Sequence, residues 1–196
     1  MSQAIIFEQL PGVLVIRFNR PEIRSPLSIF VLEELHRTFD RLLEQATPAN
    51  IVFTGRADVF ASGADLREIA LVNGETAREY ALRGQNLMNK IARTNAVAAV
   101  NGFCFGGALD LALACRKRYA APGASFSHPG ATLGIMTGWG GTQRLTRLVG
   151  EAAALEMFLT SKRVTAGEAL EIGLVDGIFN DPFENALQLF AGRTDA

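Results

Sequence analysis

The sequence predicts a single α/β domain, on three observations. Segments of strand character alternate with segments of helical periodicity along the chain. Two strand-to-helix junctions are built from glycine and small residues, Ala61–Asp65 and Gly106–Ala108. The length of 196 residues fits one domain, enough to bury on the order of 70% of the unfolded chain's surface. No linker, low-complexity tract or short repeat divides it. The domain is expected to span residues 1–196, with a core over about 1–180 and a short terminal helix over about 181–192.

Ala4–Glu8 and Val13–Phe18 are β-rich runs separated by Pro11-Gly12, which reads as an opening hairpin. After the loop Asn19–Glu22, Ser25-Pro26 supplies a capping hydroxyl followed by a proline, a helix start. Leu32, Leu35, Phe39, Leu42 and Leu43 recur at helical spacing, so this amphipathic helix runs to about Gln45. Ile51–Thr54 is a strand closed by Gly55. The loop Phe60–Asp65 leads into a second helical region, and Thr76–Arg93 forms a third. Ala96–Asn101 reads as a buried strand and Gly107–Cys115 as a buried helix. A strand at Arg118–Ala121 precedes a long loop, Ser127–Gly141. Helices follow at Thr142–Val149, Ala152–Thr160 and Ala166–Ile172. Val175–Phe179 is a last strand, and Asp181-Pro182 starts the final helix.

Composition narrows the function classes. The net charge is −1, so nothing draws the chain to nucleic acid or an anionic membrane surface. Cys104 and Cys115 sit in apolar segments without metal-ligand spacing and read as core residues of a reducing, cytoplasmic setting. No metal site is expected. The segment Met1–Leu10 lacks the basic start and apolar run of a secretory signal. Ala96–Cys115 is the most apolar stretch, but Asn101, Gly102, Gly106, Gly107 and Asp110 interrupt it, and a membrane span needs about 20 nearly unbroken apolar residues.

The phosphate loop, the zinc-protease helix and the nucleophile elbow are all missing. The two glycine junctions carry more information. Amides at a helix start lack intrahelical partners and lie at the positive end of the helix dipole, and small side chains let a ligand approach the backbone. Two such turns meeting at one point would bind an oxyanion; taken singly, each glycine simply permits a tight turn. Asp110 is the only charged residue between Ala96 and Cys115, on a helix apolar on every side. A carboxylate so placed is either functional or caps its own helix.

Asn19-Arg20-Pro21-Glu22, Phe60–Leu66, Val100-Asn101-Gly102 through Gly106-Gly107-Ala108, and Gly140–Leu145 resemble, in order and separation, the successive motifs of the crotonase (enoyl-CoA hydratase/isomerase) superfamily. Ala166–Asp176 is similar to a later family segment, so the resemblance covers nearly the whole chain. It implies a spiral of ββα units that binds acyl-CoA thioesters, with coenzyme A as part of the substrate and no separate cofactor. By matched position, the Ala64 and Gly107 amides form an oxyanion hole. Ser62, Ala64, Asp65, Leu66 and Arg67 run beside the adenine and pantetheine. Arg24 falls in the loop that places a side chain near the nucleotide, or is simply solvated. Trp139 lines the acyl pocket or fills the core.

Two departures matter. Family hydratases carry glutamates at the positions of Asp110 and Gly130, one to activate water and one to handle the α-carbon proton. Asp110 is one methylene shorter, so its carboxylate reaches about 1.5 Å less far, and a displacement of that size costs about 100-fold in rate. Gly130 offers no acid. If Ser127–Gly130 is extended, His128 shares a side with Gly130 and enters the space vacated there; otherwise it is hydrogen-bonded in its loop. His36 reads as a surface residue. The C-terminal helical region is shortened relative to the family, so a homo-oligomer, trimer or hexamer in the family, is expected to be weaker or built on other surfaces. Three activities fit: hydration or isomerisation through a thioester enolate; acyl-CoA decarboxylation; and acyl-CoA binding by a non-catalytic partner subunit.

Overall fold

The structure is a computed structural model describing residues 3–191. The expected helix end near residue 192 lies outside the described residues. Strands β1 (Ile5–Leu10) and β2 (Val13–Phe18) form the antiparallel hairpin around Pro11-Gly12. Helix α1 (Ile29–Leu43) follows a short 3-10 turn at Pro21–Ile23. The chain then alternates through β3 (Asn50–Thr54), β4 (Val59–Ala61), α2 (Leu66–Ile69), α3 (Ala77–Ile91), β5 (Asn95–Val100), β6 (Phe103–Phe105) and α4 (Gly107–Ala114). It continues through β7 (Lys117–Ala120), β8 (Ser125–Ser127), α5 (Gly141–Val149), α6 (Glu151–Thr160), β9 (Val164–Thr165), α7 (Ala166–Glu171), β10 (Gly177–Ile178) and α8 (Pro182–Ala191).

The strands separate into two sheets. Six form the order β1-β2-β3-β5-β7-β10 and four the order β4-β6-β8-β9. Each pair of consecutive strands, β3/β4, β5/β6 and β7/β8, sends its first member to the large sheet and its second to the small one. Neighbouring units pair in parallel, so the chain climbs as a spiral of ββα units, the architecture the sequence motifs imply. The strands of the small sheet are not among the strands expected from the sequence. At two or three residues each, they are too short to show a period-two pattern.

Both faces of the large sheet are covered. Ile51, Phe53, Ala96, Ala98 and Val100 face the main core, while Val52, Val97 and Ala99 point the other way against Ala186 and Phe190 of α8. Alternation along a strand divides the residues in this way. Phe39 of α1 stacks on Phe53, which stacks on Phe18, and Phe60 meets Phe18 edge-on at 5.4 Å. That aromatic column locks α1 to both sheets. No helix of the described residues is long and apolar enough to cross a membrane.

The start of α1 differs from expectation. Ser28 is the cap, its hydroxyl accepting from the Val31 amide. Ser25 is instead buried in a left-handed conformation (φ 46°), its hydroxyl accepting from the Arg20 amide and its carbonyl from Ser62. The 25–27 segment is thus tied to the 62–64 turn, with Leu27 N–H donating to the Gly63 carbonyl at 2.7 Å. A local capping signal yields here to a tertiary contact.

Candidate active site

The two glycine junctions meet. Gly63 (φ +86°) packs so closely on the start of α4 that a Cβ there would lie 2.6 Å from the Gly107 nitrogen and 2.6 Å from the Phe105 carbonyl oxygen. Gly106 takes φ +55° and donates its N–H to the Ser127 carbonyl, fixing the β6–α4 turn to β8. The first intrahelical bond of α4 runs from Asp110 N–H to Gly106, so the Gly107 N–H has no partner within the helix. Asp65 caps α2, accepting from the Arg67 amide and pairing with its guanidinium. Glu68 accepts from the Ile29 amide at 2.8 Å and holds α2 against α1.

A cavity of about 400 Å³ opens beside these turns. It brings together Ser62, Ala64, Leu66, Gly107, Asp110, His128, Gly130 and Trp139, with exposed Leu133, Ile135 and Met136 at its rim. Arg24, Asp65 and Arg67 are not on its wall. Asp65 and Arg67 are engaged with each other, and Arg24 lies over the Phe103 ring at 5.4 Å. Trp139 both lines the cavity and is buried. Added Cβ atoms at Gly84 and Gly107 would sit 2.1 Å and 2.3 Å from its indole, so the ring is wedged between α3 and α4.

Asp110 is fully buried on α4. The Thr137 hydroxyl donates to its Oδ2, while Oδ1 has no hydrogen-bond partner among the described residues. Burial pushes its carboxyl up to about 7, against the opposing pull of the Thr137 hydroxyl, the Arg144 charge and the Trp139 backbone amide. Gly141, the first residue of α5, leaves the room: a Cβ there would lie 2.0 Å from Oδ1. The glycine pair before α5 therefore has a steric function, Gly140 adopting φ +100° and Gly141 accommodating the carboxylate. Arg144, one turn into α5, donates to the Trp139 carbonyl and to Asn89 Oδ1.

His128 follows β8 and is 2% exposed, its ring 5.0 Å from that of Phe158. Neither ring nitrogen has a hydrogen-bond partner among the described residues, and Nε2 stands 3.6 Å from Asp110 Oδ1. Burial pushes its imidazole down to about 4. Neither sequence alternative for His128 is found: Pro129–Leu133 turns into a 3-10 helix instead of extending through Gly130, and the ring makes no hydrogen bond in its loop. His128 reaches the cavity from the residue before that turn. His36 is half-buried and bonded to the Arg83 carbonyl.

Gly130 is not simply a position without an acid. A Cβ there would meet the Ile135 carbonyl oxygen at 2.4 Å, where Ile135 N–H donates back to the Gly130 carbonyl. Gly130→Glu is therefore expected to lose about 1–3 kcal/mol of stability through overpacking and to gain no hydratase rate. Urea unfolding and crotonyl-CoA hydration of the variant measure the two effects. Among the cavity residues that sequence reasoning missed, Thr137 and Tyr80 carry hydroxyl groups. A threonine in a glycine-rich loop carries no distinguishing signal, and Tyr80 lies within an ordinary helical pattern.

The chain resembles known proteins in sequence and fold. The sequence matches the enoyl-CoA hydratase/isomerase family over residues 8–189. It is 33% identical over 177 residues to the short-chain-enoyl-CoA hydratase of Clostridium acetobutylicum, covering 89% of this chain and 68% of that protein. It is 38% identical over 172 residues to the glyoxysomal fatty acid beta-oxidation multifunctional protein MFP-a of Cucumis sativus, covering 85% of this chain but 24% of that one. The enoyl-CoA hydratase of Bacillus anthracis superimposes with a TM-score of 0.89 at 35% identity, over 97% of this chain and 76% of its own. Motif order, the two-sheet spiral and these matches agree: the chain belongs to the enoyl-CoA hydratase/isomerase family.

Proposed function

We propose that this chain is an acyl-CoA enzyme of the hydratase/isomerase type, which holds a thioester carbonyl between the Ala64 and Gly107 amides and moves a proton at Asp110. One observation carries the reading: a buried carboxylate with one oxygen free opens into the same cavity as both glycine junctions. The amides face the position where enolate charge develops, and preorganised donors in a dry site stabilise such charge strongly. The coenzyme moiety runs past Ser62 and Leu66 toward solvent, and the acyl group enters among Ile135, Met136 and Trp139. The hydratase names of the relatives favour this reading over decarboxylation or a non-catalytic subunit.

Calorimetry with acetoacetyl-CoA, an enolisable probe, tests the ligand class, and a panel of enoyl-, β-hydroxyacyl- and malonyl-type CoA thioesters read by mass spectrometry tests the reaction. Saturable heat and interconversion of enoyl and hydroxyacyl or isomeric enoyl thioesters are expected. No heat at millimolar ligand with folded protein would refute it.

A further inference from the structure

We propose that His128 is the second proton-transfer group of this site, serving as base while Asp110 serves as acid. The inference rests on the acyl-CoA reading above. Among the described residues, the titratable side chains on the cavity wall are Tyr80, Asp110 and His128. Tyr80 is pushed up to about 12 by burial, with Glu68 and Asp65 adding to the effect, and stays a neutral phenol. Position 130, where the family resemblance implies an acid, is closed here by the Ile135 carbonyl oxygen. His128 supplies what is missing: a buried imidazole with both nitrogens unpartnered, 3.6 Å from the one Asp110 oxygen that is also unpartnered. Unsatisfied buried polar atoms are costly, and two of them side by side on one cavity wall point to a substrate that completes their bonding.

The surroundings assign the roles. His128 faces Asp110 from α4 and the Phe158 ring from α6. Asp110 faces the Thr137 hydroxyl, the Trp139 backbone amide, the Cys104 thiol of β6 and, at longer range, Arg144 of α5, whose guanidinium is held by the Trp139 carbonyl and Asn89. Burial keeps the His128 ring neutral, and a neutral imidazole nitrogen can accept a proton. Thr137 donates to Oδ2 of Asp110, which leaves Oδ1 to carry the carboxyl proton, facing His128. In hydration, a water oxygen bonds to the β-carbon while one of its O–H bonds breaks and the proton passes to Nε2. The double-bond pair shifts toward the α-carbon through the enolate and there takes the proton of Oδ1. Water has then added across the double bond, leaving imidazolium beside carboxylate. Return of the proton from Nε2 to Oδ1 resets the pair.

The test uses the full chain, with His128→Gln and His128→Asn. Turnover of crotonyl-CoA is expected to fall about 10²–10⁴-fold, the usual contribution of a positioned acid or base, while the heat of acetoacetyl-CoA binding persists. Ring signals of the parent protein give a second readout that needs no variant to fold. The chain has two histidines, so His36 is an internal control. Saturating acetoacetyl-CoA should move the His128 signals and leave those of His36. Parental turnover in His128→Gln, or a His128 signal that saturating ligand leaves in place, overturns the proposal. A parent that binds acetoacetyl-CoA but turns over no enoyl thioester overturns the proposal as well. No binding heat in the parent overturns the acyl-CoA reading itself and this proposal with it.

Discussion

Asp110→Asn is expected to lower turnover by about 10²–10⁴-fold and at the same time to make the protein more stable at pH 8. The rate falls because the amide can neither give nor take the proton. Stability rises because a charge no longer has to be held in a dry site. The carboxyl sits near 3.8 when free and about 7 when folded. A raised carboxyl contributes fully below about pH 4, and its contribution is lost as pH rises through about 7, on the order of a few kcal/mol. His128 runs the other way: depressed to about 4, it contributes fully above its free value near 6.5 and loses that as pH falls through 4. In the parent the two slopes largely cancel between pH 4 and 6.5. Asp110→Asn leaves the histidine slope uncovered, so the stability difference between variant and parent should grow from pH 4 to 7. Urea midpoints across that range measure it. A pH-independent difference would remove the basis for treating the two groups as one neutral pair.

Gly63→Ala is expected to cost about 2–5 kcal/mol and most of the affinity for acetoacetyl-CoA. An alanine at positive φ costs roughly 1–2 kcal/mol, and forcing a methyl group into a filled space adds about 1–3 kcal/mol. The methyl group would press on the Gly107 nitrogen and the Phe105 carbonyl oxygen, prising the two turns apart. Gly12→Ala separates the terms. That glycine has φ +72° in the β1–β2 hairpin with nothing within 4 Å of an added Cβ, so only the backbone cost applies. Equal losses in the two variants would mean that contact between the turns is unimportant.

Much of this was legible beforehand, for reasons that differ by element. Helices α1, α3 and α4 were readable because long apolar runs at helical spacing, or without any polar break, leave few other solutions. Asp110 stood out because a lone charge in such a run needs a reason. The short strands β4, β6, β8 and β9 were not readable, since two or three residues carry no period. The start of α1 was misjudged because Ser25 bonds to Arg20 and Ser62, residues distant from any capping position. The role of Gly141 was hidden because its function is to be empty. The closeness of His128 to Asp110 comes from three elements meeting, α4, the end of β8 and α6, and no local pattern encodes that. The path after His128 is not legible because Pro129 opens a 3-10 turn that no period in the sequence marks.

The wedge at Trp139 gives the protein an optical gauge. It is the single tryptophan of the chain, its ring lies against Gly107 at the start of α4 and 6.0 Å from the Tyr80 ring, and it is 3% exposed. Indole emission depends on the polarity and charge immediately around it. A thioester carbonyl drawing electron density toward the Gly107 amide would therefore change the colour and yield of one defined fluorophore, with no label attached. Occupancy of the cavity can be followed in real time by light, and separately from any chemistry that follows.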